Sequence, residues 1–138
     1  MSAVPIPRDV RILVIDDEEQ NLSLISAMLR AAGYHEVVTV QRSTDAVDEF
    51  ERWRPDLILL DLHMPPPDGF AVMRAVRELV DPVDFLPILV LSADPTQAAR
   101  ERALADGASD FVPKPLQLAE ASGRSEWASA TWWRPIPC

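Results

Sequence analysis

In the stretch Pro55-Asp-Leu-Ile-Leu-Leu-Asp-Leu-His-Met-Pro65, an apolar run from Leu57 to Leu60 stops at a carboxylate, Asp61. An uninterrupted run of this kind reads as a strand covered on both faces, central in a parallel sheet. Pro55 stops the preceding helical pattern from running into it. Two other short runs end in charge. Arg11-Ile-Leu-Val-Ile15 is followed by Asp16 and Asp17, and Asp110-Phe-Val-Pro-Lys-Pro115 carries Lys114, the only lysine among 13 basic residues. In open parallel sheets, ligands sit at the carboxyl ends of the strands. Three such ends brought together make an acidic pocket with one cation at its rim. That combination suits a divalent metal and a phosphoryl group.

Working outward, strands are expected over 11–16, 37–40, 56–61, 87–92 and 109–112. Helical spacing joins Leu22, Ile25, Leu29 and Ala32, with a stop at Gly33. Ser43 is read as the cap of a helix running through Ala46, Val47 and Phe50 to Trp53. Phe70, Met73, Val76 and Val80 give a third helix over 69–80, and a fourth spans 96–105, ending at Gly107. Strands alternating with helices predict an α/β fold: a doubly wound, five-stranded parallel sheet with helices on both faces. No glycine-rich phosphate loop of either the dinucleotide or the P-loop pattern is present, which argues against those enzyme classes.

The bulk numbers fit one small domain. At 138 residues the chain can build a single core, and its net charge of −9 argues against direct nucleic-acid binding. Cys138 is the lone cysteine, so no internal disulfide forms, and a reducing, cytoplasmic setting is expected. The N-terminal residues carry no long apolar segment, so neither a signal peptide nor a membrane contact is expected.

The motifs Val14-Ile-Asp-Asp-Glu18, Pro55 to Pro65, Asp68-Gly69, Leu91-Ser-Ala93, Gly107-Ala108 and Lys114-Pro115 together resemble a bacterial two-component response-regulator receiver domain. They follow the family's order and approximate spacing across roughly residues 9 to 120. The resemblance implies a flavodoxin-like strand order 2-1-3-4-5. It further implies that Asp61 is a phosphoacceptor charged by a sensor histidine kinase or phosphotransfer protein. Mg²⁺ or Mn²⁺ would be held by Asp17, Asp61 and the backbone carbonyl of His63, with Asp16 on the metal's water. Lys114 and the Ser92 hydroxyl would take phosphoryl oxygens, and Lys114-Pro115 would be a cis peptide. Ser92 and Phe111 would form the switch, reporting through the fourth helix, fifth strand and fifth helix to an output domain or downstream protein. Such a domain is regulatory, promoting only its own phosphorylation and dephosphorylation. The alternative is a pseudo-receiver that docks partners without phosphorylation.

Several assignments have plainer readings. Asp17 and Glu18 would suit a helix N-terminus, Ser92 could cap the fourth helix, and Phe111 could be an ordinary strand residue. The His63 imidazole is expected to face solvent. After Leu116 the pattern weakens. Residues 9–121 read as the receiver domain, with a fifth helix that is short or aberrant. Residues 122–138 form an atypical tail with Trp127, Trp132 and Trp133, read as out of frame or foreign to a longer native chain. A tail that covers apolar surface or pairs two copies of the chain is the competing reading.

Overall fold

The computed structural model describes residues 9–92 and 96–113. Five parallel strands are β1 Ile12–Ile15, β2 Val37–Val40, β3 Leu57–Asp61, β4 Ile88–Ser92 and β5 Asp110–Pro113. Their order is β2-β1-β3-β4-β5. The four helices are α1 Glu19–Ala31, α2 Ala46–Trp53, α3 Gly69–Leu79 and α4 Gln97–Ala105. The expected sheet and strand order are therefore present. β3 lies at its centre, with every residue of the strand buried. The expected fifth helix and the tail from 122 onward lie outside the described residues.

Strand alternation divides the core in two. Leu13, Ile15, Ile58, Leu60, Ile88 and Val90 pack with Phe50 of α2, Met73 and Val76 of α3 and Ala103 of α4. Ile12, Val14, Leu57, Leu59, Leu89 and Leu91 pack with Leu22, Ile25 and Leu29 of α1. Successive strand residues point to opposite faces, so an apolar run without polar interruption fills both layers at once. Each large aliphatic side chain so enclosed stabilises the fold by roughly 1.5–3 kcal/mol relative to its exposed state.

Two loop and helix starts differ from the sequence reading. Ser43 does not cap α2. It opens a 3-10 turn, Ser43–Asp45, and its hydroxyl donates instead to the Pro65 carbonyl, 3.1 Å away. That bond ties the β2–α2 connection to the β3–α3 loop. α4 begins one residue later than expected, because Thr96 is its cap, with the hydroxyl accepting from the Ala99 N–H. Asp68 caps α3 in the same way, accepting from the Ala71 N–H at 2.9 Å.

Candidate active site

Register places the charged strand ends side by side. β1 and β3 pair from Ile12 with Leu57 through Ile15 with Leu60. One step further come Asp16 and Asp61, on strands separated by about 4.8 Å. On the other side of β3, Asp61 pairs with Leu91, so Ser92 follows at the next position, and Ser92 itself pairs with Pro113. Asp16, Asp61 and Ser92 are at most 1% exposed. Buried carboxylates survive only where hydrogen bonds or cations compensate the lost hydration.

Both aspartates are held by the same local device. An Asp16 carboxylate oxygen accepts from the Glu18 N–H at 2.9 Å, and one from Asp61 accepts from the His63 N–H at 3.2 Å. Each is a side chain bonding the backbone two residues on, which bends the chain as it leaves the strand. The other Asp16 oxygen accepts from the Asn21 side chain at 3.3 Å, across the first turn of α1. The Glu18 side chain makes no cap bond at the start of α1. Glu18 thus occupies the N-cap position of α1 without a side-chain cap bond, and it is Asp16 that shapes the turn before the helix.

Ligand oxygens of Asp16, Asp17 and Glu18 lie within 4.8 Å of one another. This donor set is entirely hard oxygen, the chemistry Mg²⁺ takes, and Asp17 is half-buried while Glu18 is exposed. The residues therefore fit a hydrated divalent cation. As a candidate cation ligand Glu18 is an addition to the sequence reading, which placed it only at a helix N-terminus. Asn21 was likewise visible, five residues after Asp16, with no signal for its bond.

Gly69 explains why α3 can start so close to the site. A Cβ there would lie 2.4 Å from the Asp61 carbonyl oxygen and 2.5 Å from the Leu62 Cα. The Gly69 N–H donates to the Leu62 carbonyl at 3.1 Å. Only a residue without a side chain lets the helix terminus rest on the end of β3.

His63 is exposed, as expected, and its imidazole also makes a bond that the sequence did not signal: Nε2 lies 2.8 Å from Ser92 Oγ, bridging the β3–α3 loop to the end of β4. Ser92 does not cap α4, since Thr96 does. Phe111 is buried, with the Arg100 guanidinium 6.0 Å from its ring centroid. Lys114, Pro115 and the expected cis bond between them lie outside the described residues.

A family model described as the response regulator receiver domain matches residues 12–124. This chain belongs to that family. Receiver domains serve two-component systems, are regulatory, and interact with histidine kinases and output domains. They bind Mg²⁺ in the acidic pocket. The protein-glutamate methylesterase/protein-glutamine glutaminase 2 of Anaeromyxobacter dehalogenans is 40% identical over 115 residues, covering 82% of this chain and 32% of the relative. Among its curated relatives the chain spans between about a quarter and a half of the full length. The chemotaxis protein CheY4 of Vibrio cholerae superposes with a TM-score of 0.76 at 28% identity, over 87% of this chain and 98% of that one. The receiver domain of a Pseudomonas aeruginosa sensor histidine kinase gives 0.72 at 34% identity, over 88% and 99%. That neighbour carries a magnesium ion coordinated in its active site cleft. Among the described residues of this receiver domain, no helix is long and apolar enough to cross a membrane.

Proposed function

We propose that this receiver domain, over residues 9–121, is a phosphoacceptor switch working on Asp61 in the cytoplasm. An Asp61 carboxylate oxygen attacks the phosphorus of a phosphohistidine on a kinase or phosphotransfer protein. The P–N bond breaks, the imidazole leaves with a proton from solvent, and Asp61 becomes an acyl phosphate. The observation that carries this reading is the position of Asp61. It is a buried carboxylate at the end of the central strand, level with Asp16 on one side and one position short of Ser92 on the other.

Asp17, Asp61 and the His63 carbonyl are the proposed Mg²⁺ ligands, with Asp16 on its water. When bound, the ion neutralises the meeting of two anions. Asp16 shapes the β1–α1 turn through Glu18, and the His63 N–H fixes the Asp61 carboxylate. Lys114 is assigned to one phosphoryl oxygen and the Ser92 hydroxyl to another. Phe111 follows the serine, and α4 with β5 passes the change to an output partner, or between two copies of the chain.

Intact mass after incubation with acetyl phosphate, with and without Mg²⁺, tests the reading. One Mg²⁺-dependent phosphoryl adduct in the native chain, absent in Asp61→Asn, is the expected result. A folded protein that binds Mg²⁺ and takes no adduct would instead be a docking module.

A further inference from the structure

We infer that His63 is a latch on the switch serine: its imidazole holds the Ser92 hydroxyl in the resting state and must release it when Asp61 is phosphorylated. The inference rests on the phosphoacceptor reading and adds a positioning residue to it.

The geometry is specific. His63 sits two residues beyond Asp61, in the loop whose backbone N–H already binds the Asp61 carboxylate. Its side chain then reaches across to β4, where Nε2 meets Ser92 Oγ at 2.8 Å. Ser92 is fully buried, while the ring that meets it is exposed. An exposed side chain gains little from ordering unless a bond holds it, because fixing its rotamer costs entropy. Here the bond joins the two sides of Asp61: the loop that follows it and the strand beside it.

A serine hydroxyl has one proton to donate. The latch assigns the Nδ1–H tautomer to His63, in which Nε2 accepts and the serine proton points at the imidazole. Donation to a phosphoryl oxygen on Asp61 therefore requires the Oγ–H···Nε2 bond to break as the Oγ–H···O–P bond forms. No covalent bond changes in this exchange. The imidazole competes with the phosphoryl group for the same donor, and it favours the resting arrangement.

The test follows Mg²⁺-dependent adduct formation from acetyl phosphate in the full chain, comparing native protein with His63→Ala, His63→Phe, Ser92→Ala and the two double variants. All of these keep the His63 backbone carbonyl. The net strength of a neutral hydrogen bond sets the expected gain at about fivefold for both His63 variants. In the Ser92→Ala background that gain should vanish. In parallel, the His63 ring nitrogen resonances should show Nε2 as a hydrogen-bond acceptor in the native chain and change on Ser92→Ala. Unchanged or slower rates in the His63 variants overturn the latch. So does a gain confined to His63→Ala, which would make the ring a steric cover, or a gain that persists without the serine. Adduct in the native chain with any of those results leaves the phosphoacceptor reading standing. No adduct in any variant removes that reading, and the latch with it.

Discussion

Gly69 sets how closely the start of α3 can approach the end of β3. In a helix interior, replacing glycine by alanine gains about 1 kcal/mol of helix propensity. At this position the sign reverses, because the new Cβ would meet backbone atoms of Asp61 and Leu62 that cannot swing aside. Gly69→Ala is therefore expected to destabilise the domain by about 1–3 kcal/mol, the usual range for overpacking. It should also slow adduct formation at Asp61, since the atoms displaced belong to that proposed phosphoacceptor itself. Denaturant midpoints and the acetyl phosphate reaction measure the two effects separately. A variant of native stability and native rate would mean that the α3 terminus shifts without moving the site. The Asp68-Gly69 pair was visible in the sequence as a motif. What it could not reveal is that the glycine faces backbone, because that contact depends on how closely α3 approaches β3.

At the scale of elements, Arg77 on α3 ties together three parts of the fold. Its guanidinium donates to the Gly107 carbonyl at 3.0 Å and to the Leu86 carbonyl at 2.7 Å, joining α3 to the α4–β5 turn and to the entry of β4. Gly107 has a φ of +118°, a conformation open to glycine, and an added Cβ there would press on the arginine stem at 3.1 Å. Burial lowers the Arg77 pKa from its ordinary value. A base lowered in this way makes its charged form the costly one, and the hydrogen bonds to carbonyls offset that cost. Arginine stays protonated across the neutral range, so no pH dependence of stability is expected from it there. Arg77→Met fills the space but leaves two carbonyls without their donor, and should cost about 2–3 kcal/mol in chemical denaturation. Arg77→Lys should recover only part of this, because an ammonium cannot match the forked geometry. Full recovery by lysine would show that charge alone does the tying. Nothing in the sequence marked this residue. Its acceptors are backbone carbonyls 9 and 30 positions away, and backbone groups leave no side-chain pattern to read. The strands were legible for the opposite reason, since each apolar run and its terminal charge are contiguous. Ser43 was misassigned because a serine before a helix has a local partner in prospect, whereas this one bonds Pro65 in the β3–α3 loop, 22 positions away.

For the whole molecule, the charge that marks the site is expected to work against folding when no cation is bound. The chain carries a net charge of −9, and the oxygens of Asp16, Asp17 and Glu18 converge within 4.8 Å at one end of the sheet. Unit charges about 4 Å apart repel by roughly 1 kcal/mol even at the dielectric constant of water, and by more where the site is buried. A divalent cation that binds the folded chain and not the unfolded one shifts the equilibrium toward folding. At a Mg²⁺ concentration of about 100 times its Kd, that shift is about 2.7 kcal/mol. For a domain of this size it corresponds to a rise of roughly 10 °C in Tm. The same repulsion makes an opposite forecast for a variant. Asp17→Asn removes one charge from the cluster, so it should melt higher than the native chain without Mg²⁺ and at low salt, yet gain much less when Mg²⁺ is added. Calorimetry on both proteins in matched NaCl, with and without Mg²⁺, separates site binding from general screening. A native Tm that Mg²⁺ moves no further than NaCl of equal ionic strength would mean that these carboxylates are only a solvated acidic surface. A native rise that Asp17→Asn largely removes would identify the converging carboxylates as the seat of the ion, and a higher Mg²⁺-free Tm in that variant would identify them as a source of repulsion.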